Sequence, residues 1–92
     1  LDTALHNNPN SYAIHMTAGS ILYEYGLWVK ACIVFLRASA ISPDTMEPFL
    51  NLAGALIKSG ELDEARSVYG HILEIDPENQ AAMTMMRRIQ LP

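Results

Sequence analysis

Apolar residues in the second half of the chain recur at helical spacing. Phe49, Leu52, Ala53 and Leu56 fall at three- and four-residue steps and mark one face of a helix. Gly60 follows, able to take the left-handed conformation that ends a helix without steric cost. A second stripe, Leu62, Ala65, Tyr69, Ile72 and Leu73, then runs up to Asp76–Pro77. Thr45 is expected to cap the first of these helices, with Pro48 in the first turn, where a missing N–H costs nothing. The first half repeats this plan. His15, Ala18, Gly19 and Leu22 lead to Gly26, and Trp28, Ala31, Phe35 and Ala38 follow before Ser42–Pro43.

The two halves are copies of one unit. Pro9, Pro43 and Pro77 stand 34 residues apart. Laying residues 12–45 over 46–79 aligns six identical pairs: Leu22/Leu56, Gly26/Gly60, Ala31/Ala65, Val34/Val68, Ile41/Ile75 and Pro43/Pro77. Small residues at Gly19, Ala31, Ala53 and Ala65 are expected to let paired helices approach. Trp28, Phe35, Phe49 and Tyr69 are expected to fill the space between neighbouring pairs.

A 34-residue helix–turn–helix unit of this kind resembles the tetratricopeptide repeat. The signature stands as His15-x-x-Ala18-Gly19-x-x-Leu22, Ala31-x-x-x-Phe35 and Pro43, then as Phe49-x-x-Leu52-Ala53-x-x-Leu56, Ala65-x-x-x-Tyr69 and Pro77. The segments Gly60-Glu-Leu-Asp-Glu-Ala65 and Ile75-Asp-Pro-Glu-Asn79 are especially close to the family pattern. The resemblance implies an all-α fold, with antiparallel helix pairs stacked as a short right-handed solenoid. Two departures, His15 for an aromatic and Ile72 for a small residue, are expected to loosen the packing locally. Residues 1–8 match the close of a preceding unit, 12–45 and 46–79 are complete repeats, and 80–91 match the first helix of another. That register predicts a piece of a longer array, since about three repeats are usually needed for stability.

Composition narrows the function. Ninety-two residues make one small domain, half of them hydrophobic, and at this size about 60–65% of the unfolded surface is buried. Net charge is −4, and the one adjacent basic pair is Arg87–Arg88, which gives no phosphate-tracking surface for nucleic acid. Lys30 and Arg37 interrupt the longest apolar stretch, so no membrane insertion is expected. A lone cysteine, Cys32, allows no intrachain disulfide and no metal framework. With no signal-peptide layout after Leu1, cytoplasmic residence is the default expectation.

No residues carry catalysis. His6, His15 and His71 lie on three separate helices without a second ligand nearby, whereas a metal needs three or four converging groups. Cys32 has no cationic neighbour on its face and reads as an inert thiol. Glu61, Asp63 and Glu64 open a helix, where the dipole favours negative charge. Gly54 and Gly60 lack phosphate-loop spacing. A non-enzyme without cofactor or metal is expected. Met83 and Met86 are expected to cap the core, with Met85 pointing the other way.

The resemblance implies that the first helix of each unit lines a concave binding groove. The first unit contributes Ala13, Met16, Thr17, Ser20, Tyr23 and Glu24. The second contributes Glu47, Leu50, Asn51, Gly54, Ile57 and Lys58, and the last helix adds Met85 and Arg88. Asn51 stands where the family often uses an asparagine to grip a peptide backbone, since its amide both donates and accepts. Met16, Ser20, Ala81 and Met85 occupy the places of the basic side chains that clamp acidic chaperone tails. An apolar or uncharged extended segment, or an amphipathic helix, is the expected ligand.

A second surface comes from the residues themselves. Val29, Ile33, Leu36 and Ala40 recur on the face opposite the core stripe of their helix, where the second unit has Asp63, Ser67, Gly70 and Glu74. A helix apolar nearly all round implies a covered surface, so a second contact is expected there, either a self-association patch or a docking site within a larger chain. Three functions remain open: an adaptor or scaffold binding another protein or peptide, a structural module that forms homo-oligomers, and a regulatory array attached to an enzyme.

Overall fold

The repeated stripes become six helices in a computed structural model that describes the backbone of residues 1–90 and the side chains of 1–89. They are α1 (Asp2–Asn7), α2 (Tyr12–Glu24), α3 (Trp28–Ile41), α4 (Glu47–Lys58), α5 (Leu62–Ile75) and α6 (Gln80–Gln90). There is no strand among the described residues. The last helix is expected from the sequence to reach Leu91, which lies outside the described residues.

Both helix pairs turn on a glycine. Gly26 and Gly60 have φ of 75° and 86°. At the first turn, Leu27 N–H donates to Leu22 O (2.9 Å) and Gly26 N–H to Tyr23 O (3.0 Å). At the second, Glu61 N–H donates to Leu56 O (2.8 Å) and Gly60 N–H to Ile57 O (3.0 Å). These are the paired bonds that satisfy the last carbonyls of a helix when the residue after its cap is left-handed.

The helix starts follow local signals less closely. Pro48 does lie in the first turn of α4, but the cap position falls on Met46 and no side chain fills it. Thr45 Oγ1 instead pairs with Ser42 Oγ at 2.7 Å inside the connecting turn, one residue before the cap position. The side-chain caps are Ser11, accepting from Ile14 N–H at 3.2 Å, and Asn79, whose Oδ1 accepts from Ala82 N–H at 3.0 Å.

Packing runs along the chain, each helix lying against its sequence neighbours. One buried cluster joins Ala31 and Phe35 of α3 to Leu52 and Ala55 of α4. The other joins Ala53 of α4 to Ala65, Tyr69 and Ile72 of α5 and Ala82 of α6. Helix α4 is therefore buried on two sides, and alanines at the contacts allow it. The departures from the family pattern do not loosen the stack. Ile72 is fully buried, and His15 is buried with Nδ1–H donating to Ser11 O at 2.7 Å.

The stripe of α6 is Ala82, Met85, Met86 and Ile89, an i, i+3, i+4, i+7 set facing the second cluster. Met86 packs as expected. Met85 packs there too rather than pointing away, because it sits three residues after Ala82 on the same face.

Gly19 marks a close approach between α2 and α3. A Cβ there would lie 2.5 Å from Phe35 Cε1 and 2.7 Å from Cδ1. Phe35 is itself buried and packed against Leu52 and Ala55, so the ring must shift to admit a side chain. Gly19→Ala should therefore destabilise the chain by about 1–3 kcal/mol, the cost of overpacking. At Gly70 in α5, a Cβ would meet nothing within 4 Å, so Gly70→Ala should stabilise by about 0.5–1 kcal/mol. Urea denaturation of the two variants should give shifts of opposite sign.

Candidate functional site

Helices α2 and α4 lie side by side, and a cavity of about 310 Å³ opens between them. Its walls are Ser20, Tyr23 and Glu24 from α2 and Leu50, Asn51 and Gly54 from α4, with Phe35 of α3 also lining it. The helical period accounts for this assembly. Ser20, Tyr23 and Glu24 are three and four residues apart, as are Leu50, Asn51 and Gly54, so each trio shares a face beside its buried stripe.

Six of the expected groove residues thus meet at one cavity. The others differ in exposure. Met16 is half-buried against the first cluster; Ile57 and Met85 are half-buried against the second. Thr17, Lys58 and Arg88 are exposed. Spacing alone puts Phe35 in the core, and the same ring reaches the cavity. No spacing rule separates a core residue from one that also lines a groove.

Gly54 shapes the opening. A Cβ there would meet nothing within 4 Å, so the missing side chain leaves open space at the wall. Glu24 is the one charged residue at the cavity. Tyr69, buried in the second cluster, has its phenol held above the usual range, first by burial and then by the neighbouring Tyr23. Tyr12, at the start of α2, is raised by desolvation and by the carboxylate of Glu47. Its hydroxyl is buried without a hydrogen-bond partner.

The remaining titratable groups do not converge. Among the described residues no three His, Cys, Asp or Glu could hold one metal ion. Cys32 is half-buried, and its thiol is pushed up chiefly by burial and also by Glu61, against a lowering contact with Ser59. His71 is exposed and its ring lies 5.0 Å from that of Phe49, tilted by 59°. No described helix is long and apolar enough to cross a membrane.

The outer face is as its sequence suggests in one respect. Val29, Ile33 and Leu36 are 65%, 48% and 57% exposed, and Ala40 is exposed with them.

The family model for the tetratricopeptide repeat matches residues 33–89, well over half of the chain. The chain belongs to the tetratricopeptide repeat family. No curated protein sequence matches it. Among solved structures, the first tetratricopeptide domain of Spaghetti (RPAP3), bound to the HSP90 peptide SRMEEVD, is similar with a TM-score of 0.82 at 20% identity. That likeness covers 92% of this chain and 68% of the other. The second such domain of human RPAP3, in complex with the HSP70 peptide SGPTIEEVD, gives 0.87 at 15% identity over 99% and 76%. The Arabidopsis OM64 domain gives 0.81 at 17% identity over 94% and 71%. Likeness at these identities establishes the fold alone.

Ionisation should couple to stability at alkaline pH. The folded-state values of Cys32 and Tyr69 lie above their ordinary ones, so the folded form holds its protons more tightly than the unfolded one. That stability is complete below the ordinary values, about pH 8.5 for a thiol and 10 for a phenol. It is lost as pH rises through the folded-state values. The melting temperature should fall above about pH 9, and Tyr69→Phe should flatten the fall. An unchanged slope in that variant would remove Tyr69 as its source.

Proposed function

We propose that the chain is a non-catalytic protein-interaction module that takes an extended, uncharged or apolar polypeptide segment along the α2–α4 groove. The cavity between α2 and α4 is the observation that carries this reading. At about 310 Å³ it is of a size to accept one or two side chains. Asn51 stands at its wall with an amide able to bond both N–H and C=O of a main chain, which suits a segment without regular structure.

Ligand polarity follows from what surrounds Asn51. The RPAP3 domains described above bind peptides ending in EEVD. In this chain a carboxylate, Glu24, stands at the cavity, and the family resemblance implies that Met16, Ser20 and Ala81 fill places of the basic clamp. An acidic tail would meet like charge there and gain no ion pair. Leu50, Tyr23 and Met16 offer apolar surface instead, worth about 25 cal/mol per Å² removed from water.

Peptide display against the chain should enrich sequences rich in Leu, Met or Phe and free of acidic termini. In fluorescence polarisation, the best of these should bind with a Kd in about the micromolar range. Asn51→Glu should weaken binding by about tenfold or more, since it both removes a donor and adds a charge. Tighter binding of SRMEEVD than of a neutral peptide of equal length would overturn the ligand class. Full binding by Asn51→Glu would overturn the site.

A further inference from the structure

The outer face of α3 combines an apolar strip with a basic edge. Beside the exposed side chains of Val29, Ile33 and Leu36, a cavity of about 380 Å³ opens between α1 and α3. Leu5, Leu22, Ile33 and Val34 line its apolar part, and Lys30 and Arg37 stand at it as well. These two cations are seven residues apart, so they share one edge of the helix, separated by about 10 Å along its axis. Neither joins an ion pair among the described residues, where the one salt bridge is Arg66–Asp63. Asp2 is the one carboxylate at this cavity. On a chain of net charge −4, the edge is locally positive.

We infer that this strip docks an amphipathic helix of a partner protein. Its apolar face lies over Val29, Ile33 and Leu36, and carboxylates two turns apart face Lys30 and Arg37. The spacing selects a helix. On a helix, residues seven apart lie on one face at about 10.5 Å. On a strand, residues sharing a face fall at about 6.8 or 13.6 Å, which fits the cations poorly. Apolar burial supplies most of the affinity, and the two charges fix orientation and partner choice.

Charge also argues against the other occupants. In a second copy paired two-fold with α3 antiparallel, the same edges meet, and Lys30 and Arg37 would face Arg37 and Lys30. An anionic lipid surface is read by clusters of about four to eight cations, and this edge has two.

The test uses two synthetic helical peptides with fluorescein labels. Both carry leucines at i, i+3, i+4 and i+7; one has glutamates seven residues apart on the stripe's edge, the other lysines. At low salt the glutamate peptide should bind wild type about tenfold more tightly, a margin that narrows as salt screens the pairs. Lys30→Glu with Arg37→Glu should reverse that preference. Ile33→Asp should abolish binding of both peptides while its helical circular dichroism stays unchanged, since Ile33 is exposed. Amide shifts should map to residues 29–40 and leave Asn51 unmoved. Equal binding of the two peptides, or shifts centred on Asn51, would overturn the proposal. So would a wild-type dimer in sedimentation that Ile33→Asp dissolves. Binding to phosphatidylserine–phosphatidylcholine vesicles that is lost with Lys30→Glu and Arg37→Glu would reassign the edge to lipid.

Discussion

The contact between Phe35 and Gly19 holds the rest of the structure in place. The ring sits where any side chain at Gly19 would be, which lets α2 and α3 close on one another. The same ring packs with Leu52 and Ala55, joining the first helix pair to the second. It also reaches the cavity between α2 and α4. One aromatic residue therefore takes part in the contact of α2 with α3, the packing of α3 on α4 and the wall of the cavity. Interiors are packed too densely for such a ring to shift without cost.

From that contact the stack extends in one dimension. Each helix lies chiefly against its sequence neighbours, and the molecule measures 42 × 26 × 16 Å. Repeat architectures owe their stability to such neighbour terms. Helix α4 shows how the terms connect, with Leu52 and Ala55 buried toward α3 and Ala53 toward α5 and α6. Between the first helices α2 and α4 their unburied faces leave one cavity. The second helices present the opposite surface, where α3 is apolar and α5 carries Asp63, Ser67 and Glu74. The outer faces of α3 and α5 thus have different chemistry.

Among the described residues the chain gathers no three His, Cys, Asp or Glu that could hold a metal ion. Its cysteine is half-buried with a raised thiol pKa, which keeps it protonated and slow to react at neutral pH. The buried histidine spends its Nδ1–H on the Ser11 carbonyl and serves the packing of α2. Exposed charge is spread thinly. Glu24 stands at one cavity, and Lys30 with Arg37 at another.

Helix number, helix order and the glycine turns are legible in the residues, because they rest on local rules: a 3.6-residue period, and glycine's tolerance of positive φ. Gly26 and Gly60 take the expected conformation, and the buried alanines fall where the repeat alignment puts them. What local rules do not reach depends on how neighbouring helices are turned. Thr45 has the chemistry of a cap, yet its hydroxyl finds Ser42 in the turn. Met85 is expected to face outward, yet the rotation of α6 that buries Ala82 carries Met85 with it. The groove follows the same division. Which residues lie on the first-helix faces is implied by the family resemblance, but the cavity among six of them, and the part Phe35 has in it, exist through the approach of α2, α3 and α4. Periodicity determined which side of each helix is apolar, while contact between helices, a non-local balance of volume and shape, decided what that side touches and what space it leaves open.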